Sequence, residues 1–235
     1  MNEILALIPA RGGSKGIKNK NIIDLNGKPL IYYTIKEALN SNYIEEENIW
    51  CSTDSKEIAE VASNYGAKVP FIRPKEFATD KATSVSVAKH SLKWADNNTY
   101  NFKYILLLQP TSPLREATDI DRAIELMKNS IETDSVISVT EPDIKPFNMK
   151  YMNEDNILTD YTEETYNRRQ DMPEIYCTNG AIYLTKSRVI FEHGNFYGDR
   201  SLGYVMNKRR SVDIDEKLDL KIAEFLIRER MEKNE

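Results

Sequence analysis

Two stretches of this chain carry residue types whose spacing suits chemistry on a phosphorylated ligand. The first, LALIPARGGSKGIKNKN over residues 5–21, sets Arg11, Lys15, Lys18 and Lys20 around Gly12, Gly13 and Gly16, with Ser14 and Asn21 as uncharged donors. Glycine permits backbone shapes and close approaches that a Cβ blocks, so such a loop brings N–H groups to an anion while cationic side chains close over it. A polyphosphate cradle is the expectation. The second stretch is Ser211-Val212-Asp213-Ile214-Asp215. In an extended chain, residues two apart share a side, so Asp213 and Asp215 are expected on one face and Val212 and Ile214 toward the core. Two adjacent carboxylates repel unless a proton or cation lies between them. Oxygen ligands of this kind suit Mg²⁺, which keeps several waters and bridges to phosphates. Cations and a metal are both needed when a phosphoryl group is displaced, so the two stretches belong to one reading.

Familiar phosphate loops are excluded by spacing. A Walker A loop needs Gly, four residues, then Gly-Lys-Ser/Thr, but Ile17 stands five after Gly12 and Lys18 five after Gly13. The dinucleotide fingerprint needs glycines at offsets of two and five, which Gly12, Gly13 and Gly16 do not provide, and this disfavours a Rossmann oxidoreductase. His90 and His193 are the only histidines and fall on expected helices away from both stretches, so both are read as structural. Neither a Ser-His-Asp nor a zinc spacing is present in the sequence, and covalent acyl chemistry has no support.

The elements that position these stretches follow from hydrophobic pattern. Leu5 to Ile8 is an unbroken apolar run, as a central parallel strand covered on both faces shows, and Pro9 ends it. Helices are expected from Pro29 through residue 41, over 55–65, 84–96, 118–130 and 217–232, and strands over 48–52, 104–108, 135–140 and 178–183. On the last helix, Leu218, Ile222, Phe225 and Leu226 make an apolar stripe. Strands alternating with helices imply an α/β fold with a mainly parallel sheet and helices on both faces, and ligands at the carboxyl ends of the strands. Residues 141–177 differ, being polar, rich in Asp, Glu, Asn and Tyr, and poor in apolar runs. Such a stretch either protrudes or is covered by a partner.

At 235 residues, 40% hydrophobic and 29% charged, the chain is long enough for one substantial core with a small appendage. A net charge of −5 argues against a general nucleic-acid surface. Cys51 and Cys177 make no metal or redox motif, so a reducing cytoplasm is the expected location. The first apolar run is too short for a signal peptide or membrane span.

The order Ala10-Arg11, Ser14-Lys15, Lys20-Asn21, then LLQPTSPLR over 107–115, NGAIY over 179–183 and SVDIDEKLDL over 211–220, resembles the CMP-sialic acid synthetases, or acylneuraminate cytidylyltransferases, over nearly the whole chain. The PARGGSKGIKNKN form resembles the sialic and legionaminic acid branch more than the pseudaminic one. The resemblance implies a Rossmann-like core of residues 1–140 and 178–235, with 141–177 as a dimerisation insert through which protomers complete each other's sugar site. It implies CTP as co-substrate, Mg²⁺ as cofactor, and a nine-carbon 2-keto-3-deoxy sugar acid as acceptor. An eight-carbon acid of the KDO type is the alternative, and a nucleotide-sugar-binding chain without turnover is a second.

By the same resemblance, Leu7, Ala10, Arg11, Ser14, Lys15, Lys20, Asn21, Arg73 and Ser84 line the nucleotide. Gln109, Ser112, Lys145, Asn179, Tyr183, Phe196 and Tyr197 line the sugar, with Arg168 or Arg169 gripping its carboxylate, a task that suits the two parallel donors of a guanidinium. The histidine-rich dipeptide often found before the family's lysine is absent before Lys145, and the family's second phenylalanine is Tyr197 here. Arg11, Lys20, Asp213 and Asp215 are the expected catalytic set, the last two also as metal ligands. Arg115 is equally readable as a structural residue.

Overall fold

The structure, a computed structural model, describes residues 3–13, 16–162 and 173–234. Its strands are β1 (Ile4–Pro9), β2 (Asp24–Leu25), β3 (Lys28–Pro29), β4 (Ile49–Ser52), β5 (Tyr104–Leu107), β6 (Ser135–Thr140), β7 (Lys150–Met152), β8 (Leu158–Asp160), β9 (Cys177–Lys186) and β10 (Ser201–Val205). Its helices are α1 (Leu30–Leu39), α2 (Lys56–Asn64), α3 (Ser84–Asn97), α4 (Ala117–Lys128), α5 (Ser187–Glu192) and α6 (Lys217–Asn234). Among the described residues, six strands form one sheet in the order β10-β6-β9-β5-β1-β4. β1 pairs parallel with β4 and β5, and β10 pairs parallel with β6, while β9 runs antiparallel to both its neighbours. The mainly parallel sheet is therefore as expected, with one internal strand reversed.

Because side chains alternate along a strand, β1 divides its apolar run between two cores. Ile4, Ala6 and Ile8 pack with Ile31 and Ile35 of α1, Ile58 of α2, and Ile120 and Ile124 of α4. Leu5 and Leu7 pack on the opposite face with Val87, Ala88 and Leu92 of α3 and Ile190 of α5. Helices thus cover both faces, and each fully buried Leu or Ile adds about 1.5–3 kcal/mol of transfer free energy. Caps set the helix starts that border the loops: Ser55 accepts from the Ile58 N–H at 3.4 Å, Thr83 from the Ser86 N–H at 3.1 Å, and Glu116 forms a reciprocal box with Asp119.

A third cluster joins α6 to the β2–β3 ribbon and to the acidic stretch, through Ile17, Leu25, Leu30, Tyr33, Leu114, Ile214, Ala223 and Ile227. Here the apolar stripe does not pack as one unit. Leu218 and Phe225 are 61% and 65% exposed, and Ala223 and Ile227 form the packed side instead. Within residues 141–177, β7 and β8 form a separate antiparallel hairpin. Ile144, Tyr151, Met152, Ile157, Leu158 and Tyr161 are all exposed around it. Among the described residues, no helix is long and apolar enough to cross a membrane.

Candidate active site

β1, β4 and β5 deliver three loops to one edge of the sheet. After β1 the chain turns through Arg11, whose guanidinium meets Asp80 at 2.9 Å, and Gly12, whose N–H donates to Asp54 at 2.9 Å. The Asn21 amide donates to the Arg11 carbonyl at 2.9 Å, closing the loop on itself. Asn19 adopts the left-handed conformation, φ 53°, that asparagine tolerates better than most residues, and this starts the short turn holding Lys20. The Lys20 ammonium then donates to the Ile214 carbonyl at 2.7 Å and pairs with Asp215 at 3.2 Å. Gly16 lies so close to the same acidic stretch that a Cβ would stand 2.7 Å from the Asp215 carbonyl oxygen.

These residues wall a cavity of about 390 Å³ lined by Arg11, Gly16, Lys20, Asn21, Arg73, Asp80, Ser84, Gln109, Thr111 and Asp215. A second cavity of about 660 Å³ adjoins it, lined by Gln109, Asn179, Gly180, Tyr183, Lys208, Arg209, Asp213 and Asp219, among others. Gln109 belongs to both walls, and the acidic stretch, which is not a strand, sends Asp215 to the first cavity and Asp213 with Val212 to the second, rather than setting both carboxylates on one face as expected. Asp213 sits where its surroundings push its carboxyl above the usual range. Desolvation dominates, and the neighbouring charges of Asp215 and Asp219 add to it against the Thr111 hydroxyl and Lys20. The Ile214 N–H donates to the Thr111 carbonyl at 2.8 Å, which ties the acidic stretch to the loop after β5.

A basic cavity and a neighbouring acidic one thus meet at the carboxyl ends of β1 and β5. Residues 5–233 match the family model described as Cytidylyltransferase. The chain belongs to the cytidylyltransferase family. It is 38% identical over 232 residues to the CMP-N,N'-diacetyllegionaminic acid synthase of Legionella pneumophila, covering 95% of this chain and 96% of that one. To the pseudaminic acid cytidylyltransferase of Campylobacter jejuni it is 35% identical over 223 residues, covering 94% and 95%. To the N-acylneuraminate cytidylyltransferase of Escherichia coli O18:K1:H7 it is 37% identical over 224 residues, covering 94% of this chain but 51% of that longer protein. Among solved structures, a CMP:2-keto-3-deoxy-manno-octonic acid synthetase complexed with CTP superposes with a TM-score of 0.70 at 16% identity, covering 97% of this chain and 99% of that one, which shows a shared fold.

Within this cytidylyltransferase, the expected site residues fall into three groups. Arg11, Lys20, Asn21, Ser84 and Asp215 line the first cavity, and Asn179, Tyr183 and Asp213 the second, with Gln109 between. Others sit behind the walls. Leu7 and Ala10 are fully buried, Leu7 in the core cluster under α3, so neither presents a side chain to the first cavity. Arg73 lines that cavity but is 4% exposed, and its guanidinium donates to the Ser52 hydroxyl and carbonyl and to the Phe77 carbonyl. Asn179 is likewise committed, accepting from Ser138 and donating to Ser211. The Ser112 hydroxyl is fully buried with no hydrogen-bond partner among the described residues, 3.7 Å from where a Gly180 Cβ would stand. Phe196 is buried against Tyr183, with ring centroids 5.5 Å apart, whereas Tyr197 is largely exposed. Lys145 is half-buried and is not in either cavity's lining. Ser14, Lys15, Arg168 and Arg169 lie outside the described residues.

Asp54, Thr111, Asp219, Lys208 and Arg209 border the site without having been singled out, while Asp80 lies in the run DKATSV, residues 80–85, whose family counterpart lines the nucleotide. Asp54 had a signal, because Thr53-Asp54 ends the strand beside β1. Asp219 accepts from the N–H groups of Asp215 and Glu216 at 3.0 and 2.9 Å, a local arrangement at the start of α6. Among the described residues, no group of three or more His, Cys, Asp or Glu stands ready to hold a metal.

Proposed function

We propose that this chain transfers the cytidylyl group of CTP to the anomeric hydroxyl of a nine-carbon 2-keto-3-deoxy sugar acid, with release of pyrophosphate. The observation that carries the reading is the contact of Lys20 with Ile214 and Asp215, which brings the basic glycine loop and the acidic stretch to one edge, between two cavities that share Gln109. Relatives of nearly the same length are named for legionaminic and pseudaminic acid substrates, and the longer Escherichia coli relative for N-acylneuraminate.

In this reading the first cavity takes the nucleotide and the second the sugar acid. The anomeric oxygen forms a bond to the α-phosphorus in line with the bond to pyrophosphate, which breaks. The hydroxyl proton passes to the carboxylate pair, directly or through a water. Arg11 and Lys20, together with Ser14 and Lys15, neutralise charge growing on the departing pyrophosphate; donors aimed at developing charge are the largest single contribution in many enzymes. Asp213 and Asp215 would hold Mg²⁺, because desolvation, with the nearby charges of Asp215 and Asp219 adding to it, disfavours the Asp213 carboxylate and a divalent cation would favour it. Held there, the ion would supply Lewis-acid stabilisation of phosphate oxygens. The exposed apolar hairpin of residues 150–160 supports a homodimer in which the insert is covered by the partner copy. A cytoplasmic location fits a chain that consumes CTP.

Incubation with CTP, Mg²⁺ and a panel of N-acetylneuraminic, legionaminic, pseudaminic and eight-carbon sugar acids, with pyrophosphate as readout, tests the proposal. Release with a nine-carbon acid is expected. Release with the eight-carbon acid alone, or CTP binding without release, overturns it.

A further inference from the structure

Arg115 is a fully buried guanidinium, 1% exposed, between β5 and α4. Burying a guanidinium is costly unless its donors are satisfied. Its Nη1 donates to the Ala181 carbonyl at 2.8 Å and more weakly to the Gln109 carbonyl at 3.4 Å, and its Nη2 donates to the Thr34 hydroxyl at 2.8 Å. The Thr34 hydroxyl in turn donates to the same Gln109 carbonyl at 3.4 Å. Among the described ion pairs Arg115 takes part in none, although Glu37 and Asp119 lie near enough to favour its charge. Nε has no partner among the described residues. The guanidinium therefore spends its hydrogen bonds on backbone oxygens and one hydroxyl rather than on a carboxylate.

Two of those oxygens belong to Gln109, which stands between the cavities, and to Ala181, next to a residue of the second cavity's wall. Gln109 lines both. Ala181 follows Gly180, which has φ +75° and would place a Cβ 3.4 Å from the Asp213 carboxylate. A planar fork holds the segment after β5 and the interior of β9 at once, which a lysine cannot do. We infer that Arg115, with Thr34, is a positioning residue that clamps Gln109 and the Gly180-Ala181 stretch of β9 together, and so sets the distance between the two substrates. This rests on the two-cavity assignment of the proposed function. In-line transfer between separately bound reactants is sensitive to displacements of an ångström, so loosening this clamp acts on turnover more than on nucleotide binding.

The test compares Arg115→Lys, Thr34→Val and Thr34→Ser with the parent chain. Two measurements are made: steady-state pyrophosphate release with CTP and sugar acid varied in turn, and backbone hydrogen exchange over residues 107–112 and 179–183. Arg115→Lys is expected to lower kcat roughly tenfold or more while the KM for CTP stays within about twofold. Thr34→Val is expected to do so in smaller measure, with Thr34→Ser restoring parental values. Both damaging variants are expected to speed exchange in those two segments and not in α2 or α4. If Arg115→Lys does not fold, Thr34→Val alone decides. Unchanged exchange at both segments in the folded variants, or a loss of activity that tracks only the folded fraction, overturns the inference. A parent chain that releases no pyrophosphate with any sugar acid sinks the proposed function, while the exchange measurement still decides the clamp.

Discussion

The ammonium of Lys20 lies 3.2 Å from the carboxylate of Asp215, although 194 positions of chain intervene. Lys20 is largely covered and Asp215 is 81% exposed, so solvent screens the pair and its share of folding stability is small. Its value is placement, with the basic glycine loop and the acidic stretch fixed against each other by an ammonium that also holds the Ile214 carbonyl. Lys20→Met is therefore expected to lower kcat by about 10²–10³-fold, the range for removing one donor aimed at developing charge, with little change in Tm. Pyrophosphate release and a thermal scan on the same preparation check it. A large Tm loss would assign Lys20 to the scaffold instead.

Gly16 offers a second handle on the same junction. A Cβ there meets the Asp215 carbonyl oxygen at 2.7 Å, a backbone atom that can yield only if the acidic stretch moves. A Cβ on Gly13 meets nothing within 4 Å. Gly16→Ala is expected to cut turnover at least about tenfold by displacing Asp215, whereas Gly13→Ala leaves the fold untouched. Any activity lost in Gly13→Ala then reports the triphosphate's own approach to the loop. Kinetics on both variants, with circular dichroism as the folding control, separates the two effects.

The raised carboxyl of Asp213 carries a pH signature. A folded-state value above the unfolded one means that folding favours the protonated group. Its stabilising contribution is thus complete below the unfolded value near about 3.9 and disappears as pH rises through the folded value. At neutral pH the metal-free chain therefore carries an unfavourable charge at this position. Mg²⁺ with CTP is expected to raise Tm at pH 7–8, and the rise should fade as pH falls through the elevated Asp213 value, because a protonated carboxyl is a poor ligand. Asp213→Asn should remove that Mg²⁺ response and raise the metal-free Tm at neutral pH. Thermal scans across pH with and without Mg²⁺ decide; an Mg²⁺ response that survives in Asp213→Asn would show that the ion is held elsewhere.

Much of the fold was legible because parallel strands buried on both faces leave unbroken apolar runs. Leu5 to Ile8 and Tyr104 to Leu108 announced β1 and β5 together with the loops they deliver. The reversal of β9 was not legible, since an apolar strand reads the same in either direction and only its connections reveal its partner. β10 went unread for a related reason: Ser201, Leu202, Gly203, Tyr204 and Val205 alternate weakly, and the strand is fixed by pairing with β6. Helical spacing found the stripe on α6 but could not say what it faces. The core takes Ala223 and Ile227 there, while Leu218 and Phe225 stay outside. In the site, Lys20, Asp213 and Asp215 stood out by residue type and spacing, whereas Arg115 did not, because nothing in a sequence distinguishes a buried arginine from a solvated one.

The hairpin of β7 and β8 yields the last prediction. Tyr151 and Leu158 are 58% and 61% exposed, and Met152, paired with Leu158 across the hairpin, is 64% exposed. A two-stranded ribbon is marginal in water without a surface to bury, and contiguous exposed apolar side chains mark a contact face. If a second copy covers this hairpin, placing charge on it desolvates poorly and weakens association. Met152→Glu with Leu158→Lys is expected to shift the chain from dimer to monomer by light scattering at micromolar concentration. In the proposed assignment CTP binding by the monomer should survive, because the first cavity draws no lining residue from the described part of 141–177. The second cavity does draw Glu141, Asp143 and Cys177 from that segment, so the KM for the sugar acid should rise in the monomer. Light scattering, nucleotide binding and sugar-acid kinetics on one preparation give three separate readings. A monomer with parental sugar-acid kinetics would remove the insert from the catalytic unit, and a variant that stays dimeric would move the interface to another face of the molecule.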